Sequence, residues 1–411
     1  MARFLDVFMG GAKAGVLEQD DHGALWFGYD EGWLSSNEAM PLSASLPLRS
    51  GKFKDKECRP FFAGLLPEEE KRDLVAKRFG VSERNDFAIL EKIGAECAGA
   101  VSLLPPGQYP PEGAASYRKI NPAGLEEKLR GLPRTPLMAG EDGIRLSLAG
   151  AQGKAAVMIR DSNYYLPLEG SPSTHILKPD SERFPGLVDN EFFCMRLAAR
   201  IGLDVASVSI GQAGEIRFLQ VERYDRLESG EGIWKRIHQE DFCQALGIPP
   251  ELKYQTEGGP GLKTCFGLVR EVSSAPILDV LKLFDAIVFN YLIGNNDAHG
   301  KNFSFLYEDG EARLAPLYDL VSTAAYYELS GGMAMKIGGE REAERLYAKH
   351  WISFFGEAEL GPAMAIQRMR TLSTKIQKEA WSLGKELTGS EAIAQLVDGR
   401  CASILSYKWD A

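Results

Sequence analysis

The sequence predicts an α+β, two-lobed fold: a strand-rich N-terminal half with an extra N-terminal subdomain, then an all-helical C-terminal lobe. Three observations carry this expectation. Short alternating apolar runs fill residues 1–30 and return between about residues 140 and 227, the pattern of half-buried strands. After Glu240 the apolar residues recur at the 3.6-residue spacing of helices. Directly after the longest apolar run stands a dense polar cluster, Gly294–Asn302. Strands, helices and a polar site at the join make the layout of a two-lobed nucleotide enzyme.

In chain order, Arg3–Phe8, Gly15–Glu18 and Leu25–Tyr29 read as strands, with Asp20-Asp21-His22-Gly23 as the turn between the last two. Helices are expected at Glu68–Phe79 and Asn85–Ile93, each stopped by a glycine. The run from Leu103-Leu104-Pro105-Pro106-Gly107 to Pro110-Pro111-Glu112-Gly113 is the clearest punctuation and marks a subdomain boundary. Strands follow at Ala155–Ile159, Tyr164–Pro167, Thr174–Leu177, Ala206–Ile210 and Ile216–Val221, interrupted by a helix at Asn190–Ile201. Helices then occupy Asp241–Leu246, Leu278–Ile293, Ala343–Phe355 and Gly361–Leu383. The expected domains are residues 1–110, a small lobe at 111–240 and a helical lobe at 241–411, since 411 residues exceed one small core.

Composition narrows the function. A formal net charge of −10 argues against unaided nucleic-acid binding, which needs a basic face. Six scattered cysteines without metal-ligand spacing read as buried thiols of a reducing compartment. No leader pattern opens the chain, and Ile277–Ile293 contains Asp279, Lys282, Asp285 and Asn290, so it is no membrane span. The expected location is the cytoplasm.

The chemistry is concentrated in Gly294-Asn295-Asn296-Asp297-Ala298-His299-Gly300-Lys301-Asn302. An Asp followed five residues later by Asn is the spacing of a kinase catalytic loop. There the carboxylate accepts the proton of the incoming hydroxyl while the amide oxygen holds magnesium. A polar turn after a helix would look the same. Asp319 lies 22 residues beyond Asp297, where kinases place a second metal ligand. Its triplet is Asp319-Leu320-Val321, however, so the glycine of the eukaryotic-type segment is missing, and Asp319 also suits a helix N-cap. Upstream, Ser147–Lys154 precedes a strand with small residues that let backbone N–H groups approach phosphates. It is neither a Walker A loop nor a full kinase glycine loop. Lys178, before Pro179 at an edge or terminal strand position, offers a point charge for phosphates, with Glu191 as its candidate partner.

Taken in order along nearly the whole chain, these segments resemble the HipA toxins, kinases of bacterial type II toxin–antitoxin modules. The likeness includes Pro41–Leu48, Phe62–Glu68, Ser147–Lys154, Thr174–Lys178, Val188–Glu191, Val221–Arg226, Gln239–Gln244, Lys253-Tyr254 with Gly258-Gly259-Pro260-Gly261, Asn295–Ser304 and Tyr318–Leu320. The resemblance implies that the two-lobed fold is kinase-like, with Asp297 as catalytic base and Asn302 and Asp319 as magnesium ligands. It implies that Lys178 and the backbone of Ala149, Gly150, Ala151, Gln152, Gly153 and Lys154 bind the phosphates of ATP. Glu222, Arg223 and Tyr224 would hold adenine through main-chain bonds, and His299, Gly300, Lys301 and Tyr318 would line the same cleft. It further implies autophosphorylation at Ser147 that switches the kinase off. The implied partners are a HipB-like helix-turn-helix antitoxin, operator DNA through that antitoxin as co-repressor, and a protein substrate such as an aminoacyl-tRNA synthetase. Two other readings stay open here: a small-molecule phosphotransferase, and a catalytically silent partner in a repressor complex.

Overall fold

The computed structural model describes residues 2–111, 115–181, 183–230, 232–326, 328–329 and 332–409. Near the N-terminus, Asp20 shapes the first turn: its carboxylate accepts from the N–H groups of His22 and Ala24, both at 2.9 Å. Gly23 there takes φ +88°, a conformation glycine adopts without steric cost. This turn joins β2 (Ala12–Gln19) to β3 (Leu25–Tyr29), and β1 (Arg3–Met9) precedes them. With β4 (Lys52–Phe53) and β5 (Val101–Leu104) they form an antiparallel sheet in the order β4-β3-β2-β1-β5. Alternation along β3 buries Leu25, Phe27 and Tyr29. Helix α1 (Glu31–Leu34) follows the third strand, and α2 (Asp55–Gly64) brings Phe62 to 5.4 Å from the ring of Phe27. Helices α3 (Glu69–Phe79) and α4 (Asp86–Ile93) begin and end almost where their caps predict, with Gly80 left-handed and Asn85 accepting from the Ala88 N–H. The expected boundary after Leu104 begins as a proline turn, but its last residues, Glu112 and Gly113, lie outside the described set.

A second antiparallel sheet follows. Its strands are β6 (Ser116–Ile120), β7 (Ala155–Arg160), β8 (Asn163–Leu168), β9 (His175–Pro179), β10 (Val208–Ala213) and β11 (Ile216–Glu222), in the order β10-β11-β9-β7-β8-β6. Helix α5 (Pro122–Gly131) covers it with Leu125 and Leu129. The strand that ends at Lys178-Pro179 is therefore interior and not an edge. Pro179 is tolerated because β7 pairs only as far as Leu177, so the missing N–H interrupts no bond on that side.

The chain forms two compact units. Unit 1 is residues 1–179, 210–251 and 306–310, and unit 2 is residues 180–209, 252–305 and 311–411. The boundary expected at residue 240 thus differs from the contact structure: α6 (Leu187–Arg200) belongs to unit 2, and α7 (Phe242–Ala245) to unit 1. Unit 2 is built on α8 (Leu262–Val272), α9 (Pro276–Ile293), α10 (Ala348–Glu357), α11 (Pro362–Glu386) and α12 (Glu391–Ser406). It is not helix throughout, since Gly332–Ile337 and Glu340–Glu342 pair as a short ribbon. The acids inside α9 are satisfied within the unit. Asp279 accepts from Ser273, Arg313 and the Leu314 N–H, and Asp285 pairs with Arg368. Among the described residues no helix is long and apolar enough to cross a membrane. All six cysteines are buried.

Candidate active site

Helix α9 delivers the segment expected to carry the catalytic base. It ends at Gly294, whose φ of +77° and tight surroundings exclude a side chain: a Cβ would lie 2.9 Å from that of Ala324. A ladder of asparagines then carries the helix geometry into the loop. Asn290 donates to Ala286 O at 2.9 Å, Asn295 donates to Asn290 Oδ1 at 2.8 Å, and the Asp297 N–H donates to Asn295 Oδ1 at 3.1 Å. Asn296 is fixed from both sides, its N–H on Thr323 Oγ1 and its carbonyl accepting from the Ala334 N–H. These asparagines are buried, whereas Asp297 is exposed at the end of the ladder. A carboxylate held by its backbone and open to solvent is what a general base requires.

The turn Gly300–Asn302 follows. His299 N–H donates to Asn302 Oδ1 at 3.3 Å, and Asn302 N–H returns to His299 O at 3.0 Å. Asn302 Nδ2 donates to Asp319 Oδ2 at 3.3 Å, so the two residues expected to share a metal meet. Asp319 has φ +57°, uncommon for a residue with a side chain and typical of functional positions. The residues after it are not helical, and Ser322 precedes the next helical turn, so Asp319 is no N-cap. Tyr318 braces the pair by donating to Lys301 O at 2.6 Å, with Ser304 Oγ at 2.8 Å. Gly300, Lys301 and His299 are buried beneath. The Asn302–Asp319 pair supplies hard oxygen donors that fit a divalent cation such as magnesium. Among the described residues no group of three or more His, Cys, Asp or Glu could hold a metal, so a cation here would draw further ligands from phosphates and water.

Unit 1 holds the other expected residues. Ser147 is fully buried: its N–H donates to Glu96 O at 2.8 Å and its hydroxyl to Leu65 O at 2.7 Å. Ala149 to Lys154 are half-buried. Gly150 takes φ +103° and accepts from the Glu68 N–H at 3.3 Å, while the Lys154 ammonium folds back onto Ala149 O. Lys178 is buried on β9 opposite Leu219. Alternation puts it on the face opposite Leu177, which enters the apolar core.

Strand β11 runs out through Glu222 into Arg223 and Tyr224. Glu222 is exposed, and the Tyr224 hydroxyl donates to Gln239 Oε1. The Arg223 N–H is engaged by Thr174 O at 2.9 Å, and its side chain turns into a buried ionic cluster. There Arg223 donates to Asp225, Glu96 and Ser173, and Arg226 donates to Glu96. Burial raises the Asp225 carboxyl, but the guanidinium groups of Arg223 and Arg226 outweigh it and hold it well below the usual range. Arg223 is thus a structural pin behind the expected adenine segment. The cluster escaped the sequence reading because Glu96 is 127 positions from Arg223. Tyr254 was also missed as a site residue: its hydroxyl lies 2.8 Å from Asp297 Oδ1, and no local pattern announces a contact across 43 positions.

A strand-rich unit with a small-residue loop, and a helical unit presenting an exposed carboxylate and an Asn–Asp pair, are the parts that proteins of the kinase class combine. Comparison with known proteins specifies which. Residues 5–104 match the HipA N-terminal domain and residues 146–381 the HipA-like C-terminal domain. The chain is 50% identical over 374 residues to Y4mE of Sinorhizobium fredii, covering 90% of this chain and 89% of that one. It is 32% identical over 360 residues to the serine/threonine-protein kinase toxin HipA of Shewanella oneidensis, covering 85% and 81%. A solved structure of Shewanella oneidensis HipA with HipB and operator DNA matches with a TM-score of 0.84 at 28% identity, over 98% of both chains. The chain belongs to the HipA family of toxin kinases.

Proposed function

We propose that the chain is a serine/threonine protein kinase using Mg-ATP, the toxin of a HipA/HipB-like toxin–antitoxin module, switched off by phosphorylation of its own Ser147. The observation that carries this reading is the exposed Asp297 carboxylate, fixed by the asparagine ladder in the same unit as the Asn302–Asp319 pair. In the reaction, Asp297 takes the proton of an acceptor hydroxyl as that oxygen bonds to the γ-phosphorus. The bond between the γ-phosphorus and the β–γ bridging oxygen breaks, and ADP leaves. Asn302 and Asp319 would hold magnesium, which supplies charge neutralisation of the phosphates when bound. In unit 1, Lys178 and the 149–154 backbone would bind the phosphates, and the Glu222–Tyr224 main chain the adenine.

Ser147 supports the off-switch by where it sits. A phosphate of nearly two negative charges has no room in a fully buried position bonded to two backbone carbonyls. The modified serine would have to leave, taking the phosphate loop with it. An acidic chain with a net charge of −10 would reach operator DNA only through a basic partner. A HipB-like helix-turn-helix antitoxin is the partner we propose, by likeness to the HipA–HipB–operator complex. A protein substrate such as an aminoacyl-tRNA synthetase is proposed on family resemblance.

The test is incubation with Mg-ATP followed by intact-mass spectrometry and peptide mapping. Wild type should gain one phosphate on Ser147, and Asp297→Asn should gain none. Phosphate on the Asn variant, or none on wild type, would overturn the assignment.

A further inference from the structure

Tyr254 and the glycine-rich turn after it, Gly258-Gly259-Pro260-Gly261, have no part in the roles described so far. Yet this stretch is built with care around one contact, the 2.8 Å hydrogen bond that the Tyr254 hydroxyl donates to Asp297 Oδ1. Tyr254 O accepts from the N–H groups of Glu257 at 3.0 Å and Gly259 at 2.9 Å, which folds the chain into a tight turn beneath the tyrosine. Gly258 takes φ +106°, and at Gly259 a Cβ would lie 2.2 Å from Leu252 O, so the turn closes only without side chains there.

The turn is also clamped sideways. Gln255 Oε1 accepts from the Lys336 N–H at 2.7 Å, tying it to the Gly332–Ile337 strand, and a Cβ on Gly261 would lie 2.5 Å from the same amide. That strand in turn holds Asn296 through Ala334. The Tyr254 ring meets His299 edge-on, with centroids 5.3 Å apart at 79°. The phenol and the carboxylate are thus mounted on one framework, and all of it lies within unit 2.

We infer that Tyr254 is a positioning residue for the catalytic base. Its hydroxyl donates to Oδ1 of Asp297 and fixes the rotation of the carboxylate, so that the base meets the acceptor in one orientation. A carboxylate has lone pairs for more than one donor, so the acceptor hydroxyl can bind beside the phenol. The phenol keeps its proton throughout, and the transferred proton is the acceptor's alone. This inference rests on the kinase reading, and the glycine-rich turn is its device.

The experiment compares wild type, Tyr254→Phe and Asp297→Asn, following phosphate incorporation and ADP release against Mg-ATP concentration. The Phe variant keeps the ring and its packing on His299 and loses only the hydroxyl, so its melting temperature should match wild type. Its limiting rate should fall about tenfold, the scale of one lost charge-assisted bond, with the half-saturating ATP concentration unchanged. An unchanged limiting rate, or a loss confined to ATP affinity, overturns the role. A faster Phe variant also overturns it, because the phenol would then be competing with the acceptor hydroxyl. If wild type neither incorporates phosphate nor releases ADP, or Asp297→Asn does both, the kinase reading itself fails and the tyrosine's role with it.

Discussion

The segment proposed to carry the catalytic base, in unit 2, and the proposed phosphate loop, in unit 1, are both short, polar and marked by glycine, but they are fastened differently. From Asn295 to Asn302 the links run densely into neighbouring structure: Asn290, Thr323 and Ala334 on one side, Asp319 and Tyr318 on the other. Between Ser147 and Lys154, anchors to the N-terminal subdomain lie at Ser147 and Gly150. Ser147 bonds Glu96 O and Leu65 O, and Gly150 receives the Glu68 N–H, while Lys154 folds back on the loop itself. Dense fastening suits a base that must not move between turnovers. An anchor made by the serine hydroxyl itself suits a segment that one covalent change can release.

The largest effect should come from cutting the dense side of this comparison. Asn295→Ala removes the donor to Asn290 Oδ1 and the acceptor of the Asp297 N–H in one substitution. Asn290 is buried, so its orphaned oxygen carries a desolvation cost, and the two losses together should lower the stability of unit 2 by about 2–4 kcal/mol. Phosphate incorporation should fall with it, since the base loses its backbone anchor. Denaturant unfolding and Mg-ATP assays check both parts. A variant with native stability and native rate would mean the ladder does not hold Asp297.

Much of this arrangement was legible in the sequence, for physical reasons. The meeting of Asn302 with Asp319 was foreshadowed by their spacing, because the chemistry proposed for them needs both side chains at near-fixed separation along the chain. Helices α3 and α4 could be read because their caps are local. Helix α2 could not, since Pro60 sits inside it and Phe61-Phe62 breaks the period. Helix α12 was missed because its buried stripe of Ile393, Val397, Cys401 and Ile404 is thin and diluted by small and polar residues. The position of Lys178 on an interior strand depends on β11 and β7 arriving from both sides, which no local window contains. The Tyr254 contact and the Glu96–Arg223–Asp225–Arg226 cluster are likewise products of tertiary folding.

A smaller effect probes the N-terminal subdomain away from those anchors. Glu240 is buried against the Pro41–Leu48 stretch, where Ser43 Oγ, the Ala44 N–H and the Tyr307 hydroxyl all donate to it. No guanidinium faces it in these contacts, unlike Asp225, and burial pushes its carboxyl up to about 7 from the ordinary 4.5. In this window the unfolded chain has already lost the proton that the folded chain still holds. Stability therefore falls as pH rises from about 4.5 to about 7 and levels off above that. Glu240→Gln cannot ionise, and its amide can donate to Ser43 while its oxygen accepts from Ala44 and Tyr307. The variant should gain on wild type by up to about 3 kcal/mol across this window. His238, which burial lowers to about 4, titrates in both proteins and cancels in the difference. Unfolding at pH 5, 6, 7 and 8 measures it, and a constant offset between the two proteins would rule the account out.

The smallest effect sharpens the comparison most directly. Ser147→Ala removes one hydrogen bond, that to Leu65 O, and leaves the backbone bond to Glu96 intact. It should cost about 1 kcal/mol, because the position is buried and the methyl group fills part of the space. If the Ser147 hydroxyl holds the loop, this modest loss should appear locally. Amide exchange in residues 147–154 should speed up severalfold while residues 295–302 exchange as in wild type. ATP binding should weaken by no more than the same factor, since the loop still docks most of the time. Equal loosening of both segments would mean that they are fastened as one body, and the contrast between a rigid base and a releasable loop would have to be abandoned.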